Sequence, residues 1–480
     1  MAVPVPAVKI DWNANGNYSG TYDDITADVT SFSWQRGSQD WTSGSTVGGA
    51  TIRVKNATGK YNPGNAGGVL YGNLLPGRPV HITAVYGGTT YGIFGGYIDR
   101  IIPLAGQGAR EAELICVDAF SRWGKRSVYV DALFSANDTI GDVRAQVLTD
   151  LGAASPVIPA GEYVDAIPVL GLDYRAGTTA LDELNRAVGT RHVIRPKATP
   201  TGSVGWDYFA VARTHRLSAT VDETITNVQA VNGYEITADN IINAPNITYS
   251  LTTRDPNGAE QVIWSSSAVP FVLTSGMTVY MSPHFDRPYV DILLDYEAVF
   301  AGGNITETLV DAGTMARVSL ASTGGGTQTV TRVTVTGRPT VDLTPTTVYV
   351  RDAASIAVYG WETGPTVDTP FMRTETMARG LGNWMLWRYA THRERPTITL
   401  AGSFPTILAR EVFDIIALTI VDLSVSARRF EVTTLSGRCA PGGEWSLDMG
   451  LLEMTEQQGS LSTWFTLNTS VLNGTHKIAP

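Results

Sequence analysis

The sequence predicts a mainly β protein with an α/β insert. Short runs of alternating apolar and polar residues recur between glycine-rich turn clusters, the pattern of strands with one buried face. Glycine supplies 49 of the 480 residues, while charged residues make up 17%, below the usual share of about 25%. Helical spacing of apolar residues is confined to 121–209 and 371–391. At roughly 100–200 residues per domain the length gives three or four domains, each able to bury a core without disulfides or metals.

The first strands are read at Val29–Trp34, Ala50–Val54, Pro79–Tyr86, Tyr91–Phe94 and Glu111–Val117. The second ends at the turn Asn56–Gly59, and Gly87–Gly88 follows the third. Strands at this spacing with glycine turns suggest a sandwich or barrel. From 121 the pattern changes. Asp138 caps a helix carrying Ile140, Val143, Val147, Leu148 and Leu151, stopped by Gly152. Thr179 with Asp182 resembles a capping box ahead of Leu181, Leu184 and Val188, stopped by Gly189. Strand-like Arg191–Ile194 and Trp206–Val211 complete a small α/β unit.

Residues 216–370 return to β pattern. Ser322–Thr327 reads as a loop, Val330–Thr336 as a strand ending at Gly337–Pro339, and Thr346–Val350 as the next strand. The best helix lies in 371–391. Met377, Leu381, Trp384 and Met385 share a face, Arg373, Arg379 and Arg388 surround it, and Pro396 is expected to stop it. Thr397–Leu400, Ile415–Val421, Arg429–Val432 and Trp445–Asp448 are strands, followed by a polar tail from about 456.

A net charge of −10 argues against gripping nucleic acid, which calls for a basic patch. It suits a surface past which nucleic acid slides without sticking. Cys116, in an apolar strand, reads as a buried small hydrophobe, and with the distant Cys439 makes no disulfide framework. The N-terminus lacks a signal-peptide pattern, and no run reaches the ~18 apolar residues of a membrane span.

No catalytic, cofactor or metal residue is assigned. The histidines (His81, His192, His215, His284, His392, His476) lack metal-binding spacing, and nucleophile-elbow, Cys-x-x-Cys and phosphate-loop motifs are missing. One segment offers two readings. Asp11-Trp-Asn13-Ala-Asn15-Gly16 matches the first half of a calcium loop, but Tyr22 stands where the twelfth-position glutamate belongs. The other reading is an Asx/Gly turn that satisfies its own backbone. Trp41, Tyr61, Tyr71 and Tyr91 form either a sugar platform or core and subunit contacts.

An ordered series of short motifs resembles phage tail-hub proteins. It runs through Val8–Trp12, Asn15–Gly16, Asp24–Thr26, Trp34–Gly37, Ala50–Asn56, Gly59–Pro63, Leu75–Val80 and Phe94–Ile98. It continues with Asp173–Gly177, Leu181–Leu184, Asn240–Asn243, Ala354–Ile356, Tyr359–Gly360, Pro441–Gly443 and Trp445. The resemblance implies two hub-type β-barrel domains, an α/β domain and an inserted β-rich domain in a ring-forming chain. The expected boundaries are 1–120 for the first barrel, with 210–245 as a candidate completion, and 121–209 for the α/β domain. The inserted domain takes 246–395 and ends in the amphipathic helix; the second barrel takes 396–456, and 457–480 is an extension.

The implied function is structural: a homotrimer closing the tail tube at the virion tail tip, assembled in the host cytoplasm. Implied partners are a distal tail protein ring, the end of the tape measure protein and a central fibre or spike, with DNA passing through the lumen. No cofactor is implied. Many such hubs carry a C-terminal peptidase or glycosidase; this sequence ends soon after the hub pattern, so lytic activity is not expected. The alternatives are a receptor- or carbohydrate-binding tail protein, a cell-wall hydrolase, or the hub of a related injection machine.

Overall fold

The computed structural model describes residues 3–37, 47–104, 110–125, 221–238, 241–250, 252–266, 270–287, 289–300, 304–311, 316–367 and 374–454, together with the backbones of four strands between 132 and 212. The N-terminal strands are β1 (Val5–Ile10), β2 (Val29–Gly37), β3 (Gly49–Lys55), β4 (Pro79–Tyr86), β5 (Thr89–Pro103) and β6 (Glu111–Val117). Burial alternates residue by residue in β3 and β6, so one face of each turns to the core, while the middles of β4 and β5 are buried on both faces. Helix α1 (Ala119–Trp123) follows, capped by the Asp118 carboxylate on the Phe120 amide.

Between 126 and 220 the backbone shows β7 (Ala132–Leu133) paired with β8 (Asp173–Tyr174), and β9 (His192–Ala198) paired with β10 (Trp206–Ala212). The two expected helices of this segment, with their caps Asp138 and Thr179, lie outside the described residues.

The chain then returns to the first sheet with β11 (Glu223–Ile225) and β12 (Ala230–Thr237). It leaves again through β13 (Asn246–Tyr249) into a sandwich. This contains β14 (Thr252–Arg254), β15 (Gln261–Ser265), β16 (Phe271–Leu273), β17 (Thr278–Met281), β18 (Tyr289–Phe300), β19 (Ile305–Asp311), β20 (Ala316–Ser322) and β21 (Gln328–Asp342). The 15-residue β21 is the spine, pairing with β14, β15, β16 and β18. β17, β20 and β19 form the facing sheet, and Val318, Leu320, Val330, Val333 and Val335 fill the space between.

β21 does not end at Gly337–Pro339 as expected. The chain passes through both in extended form because Gly337 lies against Ile263 and Tyr289, and Pro339 stands opposite Tyr289. There the main-chain demand falls on the proline carbonyl, which accepts from Asp255 N at 3.0 Å.

β22 (Thr346–Tyr349) pairs with β13 and leads into α2 (Ala353–Tyr359) and α3 (Glu375–Tyr389). Asp352 and Thr374 cap these helices through the Ser355 and Met377 amides. Leu381, Trp384 and Met385 are buried as their spacing predicts, with Met377 half-buried beside them; Arg373 lies outside the described residues. Pro396 is not the stop. α3 ends at Tyr389, and Pro396 sits inside β23 (Arg393–Ala401), opposite Tyr234. The end is set earlier, where the Arg393 guanidinium takes the Arg388 and Trp387 carbonyls that a further turn would use.

The last elements are α4 (Thr406–Ala409), β24 (Ile415–Ile420), β25 (Val425–Cys439) and β26 (Trp445–Glu453). They join the first group in one twelve-stranded sheet, ordered β1-β4-β5-β6-β3-β2-β25-β26-β23-β12, with β24 and β11 branching from β25. Within 210–245, a candidate completion of the first barrel, β11 runs parallel to β24, and β12 antiparallel to β23. A single apolar cluster underlies the whole sheet, from Val8 and Trp12 to Leu447 and Leu451.

Helix α3 is locked to this sheet by a buried ion pair. Both Arg388 nitrogens meet the two Glu431 oxygens at 2.8 and 2.9 Å. Burial opposes the charge on Arg388, but Glu431 outweighs it and holds the guanidinium above its ordinary value. Removing one partner of such a pair strands the other charge. Glu431→Gln is therefore expected to lower unfolding stability by about 3–5 kcal/mol in urea titration, whereas Glu375→Gln, whose partner Arg379 is exposed, changes it by less than about 0.5 kcal/mol.

Candidate functional site

The place where distant parts of the chain are brought together is the seam between β2 and β25. Six residues pair there, from Phe32 opposite Cys439 to Gly37 opposite Thr434. Trp34 stands opposite Gly437, and a Cβ at that glycine would lie 2.0 Å from Trp34 Cζ2. The glycine is required by close approach of the indole. Phe32 and Trp34 also pack on Trp445, with ring centroids 5.4 and 6.0 Å apart.

At the end of the seam lies a charged network. Arg36 donates to the Ile93 carbonyl at 3.1 Å and faces Glu411 at 3.4 Å. Arg410 bridges Asp414 and Glu223 at 3.3 and 3.7 Å. Asp414 accepts the Glu411 amide, while Phe413, at φ +72°, donates to the Val432 carbonyl. Strands β2, β5, β11 and β25 are thus tied through one loop. Beside the seam is a cleft of about 530 Å³ whose lining includes Gln35, Thr397, Thr434, Ser436 and Asp448. Among the described residues the polar lining is one carboxylate, the Arg36 guanidinium, the Gln35 amide and three hydroxyls, with no nucleophile–base pair and no metal ligand set.

Asp118 closes the same region from the other side. Its carboxylate accepts the Gly48 amide at 2.6 Å and the Phe120 amide at 3.0 Å. Burial outweighs these bonds and pushes its pKa up to about 7.

The Asp11–Gly16 segment is a turn. Asp11 accepts the Asn15 and Gly16 amides at 3.1 and 2.8 Å, so both oxygens serve the main chain. Gly16 takes φ +81°. Asn15 and Asn17 repeat the device on the Asn17 and Ser19 amides, and Asp23 accepts from Gly20. Among the described residues no three acidic, histidine or cysteine side chains are placed to hold a metal ion.

Among the described residues, the aromatics weighed as a sugar platform are not gathered on one surface. Tyr61 is fully buried and donates to Asp28, Tyr91 packs against the core, Tyr71 is exposed, and Trp41 lies outside the described residues. Sequence reading missed a different set: Arg351 stacks over Trp361 at 4.7 Å and Tyr349 at 5.7 Å, with both rings exposed. No periodicity marks these three, because they stand on either side of α2, at the end of β22, in the link to the helix and just past its end. Cys116 and Cys439 are free and buried, and burial pushes both thiols up, that of Cys439 to about 11. His81 is buried in β4, and His392 bonds the Tyr359 hydroxyl at 2.8 Å.

The two ends of the twelve-stranded sheet are poor templates for another strand. On β1 the outward main-chain groups belong to even-numbered residues: Ile10 donates to Asp23, and Val8 accepts from Ile25. Ahead of them the same parity falls on Pro6 and Pro4, which have no N–H to offer. At the other end, β12 carries a bulge between Val231 and Gly233.

Comparison with known proteins places this arrangement among solved folds. A tail protein from Neisseria meningitidis MC58 superposes with a TM-score of 0.50 at 8% identity, covering 94% of this chain and 97% of that one. The prophage MuSo2 43 kDa tail protein from Shewanella oneidensis gives 0.48 at 10% identity, covering 94% and 98%. Prophage tail protein gp18 from Listeria monocytogenes EGD-e gives 0.42 at 9%, covering 93% and 94%. The first likeness shows a shared fold. No protein-family profile matches the chain, and no curated protein does.

Two outcomes follow from the seam. Gly437→Ala is expected to cost about 3 kcal/mol or more in urea unfolding, because the Trp34 ring must move, while Gly325→Ala, with nothing within 4 Å, changes little. Asp118 has a folded pKa near 7 against 3.8 ordinarily. Its contribution is complete below the ordinary value, falls as pH rises, and is gone above about 7. Wild-type stability should therefore drop with rising pH across that window, by up to about 1.4 kcal/mol per pH unit, relative to Asp118→Asn.

Proposed function

We propose that this chain is the structural hub of a phage tail tip: a homotrimeric ring that closes the tail tube and carries no catalytic role. The observation that carries the reading is the twelve-stranded sheet. Two groups of antiparallel strands from the two ends of the sequence are fused edge to edge at β2·β25, with the rest of the chain inserted between them. Three copies of such a doubled unit supply six similar wall segments, matching a hexameric distal tail ring on one side. The other side meets a central fibre or spike.

In this reading 1–120 and 396–456, the latter with β11 and β12, are the two ring-forming units. Residues 121–209 and 246–395 stand outside the ring. The tape measure end occupies the lumen before ejection, and DNA then passes. A chain of net charge −10 suits that passage, since like charges discourage adhesion. The proline-blunted edge of β1 and the bulged edge of β12 support subunit contacts made by side-chain packing at those two edges. The likeness to tail proteins supports the role by analogy of fold.

The test is the mass of the purified chain by light scattering, alone and mixed with the distal tail ring protein. The expected result is a mass of three chains, reached alone or on the ring. A chain that stays monomeric under both conditions overturns the reading and leaves a receptor- or carbohydrate-binding tail protein to be tested by sugar binding.

A further inference from the structure

Two exposed features of the chain are complementary in shape class and charge. The first is a patch on the unit built by α2 and α3. Helix α2 turns Ala353, Ala354, Ala357 and Val358 to solvent, and Val358 is 72% exposed. Next to this helix in sequence stand Tyr349 and Trp361, both exposed, with the Arg351 guanidinium stacked over their rings. Arg351 meets no carboxylate among the described residues, so its N–H edge is open to an acceptor while its planar face is held by the rings. Exposed tryptophan, tyrosine and arginine around an aliphatic surface have the composition of an interface centre.

The second feature is the tip between β24 and β25. Val421–Leu423 forms a 3₁₀ turn in which Val421 is 84% exposed and Leu423 is also exposed. Asp422 stands between them, exposed and without a cationic partner among the described residues. The turn is held in shape by Ser424 at φ +56° and Ala427 at φ +48°, and by the bond from Ala427 N to Thr419 Oγ1 at 3.0 Å. Two non-glycine residues in the left-handed region fix a protrusion that ordinary turn geometry would not give. It presents aliphatic, acid, aliphatic: what an apolar patch centred on a lone arginine would accept.

We propose that the Val421–Leu423 tip of one copy docks on the Arg351–Trp361 patch of the next, with Asp422 paired to Arg351. The occupant is a second copy because one chain carries both halves, at separate places in its fold. A contact between different surfaces on identical subunits is head-to-tail, and closes into a ring when the rotation permits. The inference rests on the ring reading given above and supplies its contact.

The experiment is a charge exchange read by sedimentation equilibrium, alone and with the distal tail ring protein. Arg351→Glu and Asp422→Arg should each weaken self-association by about a hundredfold or more, because like charges then face each other. The chain carrying both substitutions should recover most of that loss. Both positions are exposed, so the thermal unfolding of the monomer serves as a control and should not move. A wild-type ring indifferent to both single substitutions overturns this contact, leaves the ring reading standing and assigns the patch to a different protein. Single losses without recovery in the double variant overturn the pairing of the two residues. A wild-type chain that never associates overturns the ring reading and this contact with it.

Discussion

The pairing of β2 with β25 is the constraint on which the rest depends. It joins residues about four hundred positions apart through six matched residues, and every intervening unit is a loop closed by that contact. Loop closure costs grow only slowly with length, so a short, well-packed seam is enough to hold a long insertion. What makes it well packed is the fit of the Trp34 ring over Gly437, with Phe32 and Trp445 completing the cluster. The apolar cluster beneath runs without a break across the seam, so the two strand groups share one interior.

Around that seam, buried charge is used for orientation. Arg388–Glu431 ties α3 to β25, and Arg36–Glu411 with Arg410–Glu223 ties the loop 410–414 to β2 and β11. Apolar contacts alone would allow α3 to slide on the sheet, whereas a bidentate guanidinium–carboxylate pair has one good geometry. Desolvation makes such pairs poor sources of net stability. Their value here is that a misplaced helix would leave both charges stranded in the interior, which disfavours the alternatives.

The alternating strands were legible in the sequence because period-two burial is a local signal: Ala50–Val54, Pro79–Tyr86 and Glu111–Val117 all fall within strands of the predicted kind. So was α3, whose apolar face is a local signal, though its Thr374 cap was not read and its end was placed too late. The errors came where a partner distant in sequence decides. Pro396 reads as a helix stop, yet lies in a strand because Tyr234 of β12 stands opposite it. Gly337 and Pro339 read as a strand end, yet a sandwich core carries the strand through them. The resemblance motifs gain a physical meaning. Asn243, from the Asn240–Asn243 run, bonds Ser355 Oγ, the Gly360 carbonyl and the Glu362 amide, so three separate short motifs are one buried hydrogen-bonded joint. Gly59, Gly77, Gly442 and Gly443, in others, take positive φ. What made these motifs recognisable is folding chemistry, so by themselves they carry little about a reaction.

The distribution of polar groups supports the same separation of roles. Most conspicuous buried acids serve the backbone or a cation. Asp11 and Asp23 hold a turn, Asp118 caps a helix and anchors Gly48, and Glu431 neutralises Arg388. Groups satisfied in this way hold shape, and even Asp118, pushed up to about 7 by burial, is held by the Gly48 and Phe120 amides. The uncommitted chemistry lies outside: the exposed aliphatic and aromatic residues around Arg351 and the projecting Val421 tip. The interior polarity of the described residues is spent on fixing shape, while these surface residues are left without such a task. At the β1 and β12 edges prolines and a bulge make strand addition costly, whereas the left-handed Ser424 and Ala427 hold the Val421–Leu423 side chains on a stiff support, so what the surface offers there is fixed side chains rather than free main chain.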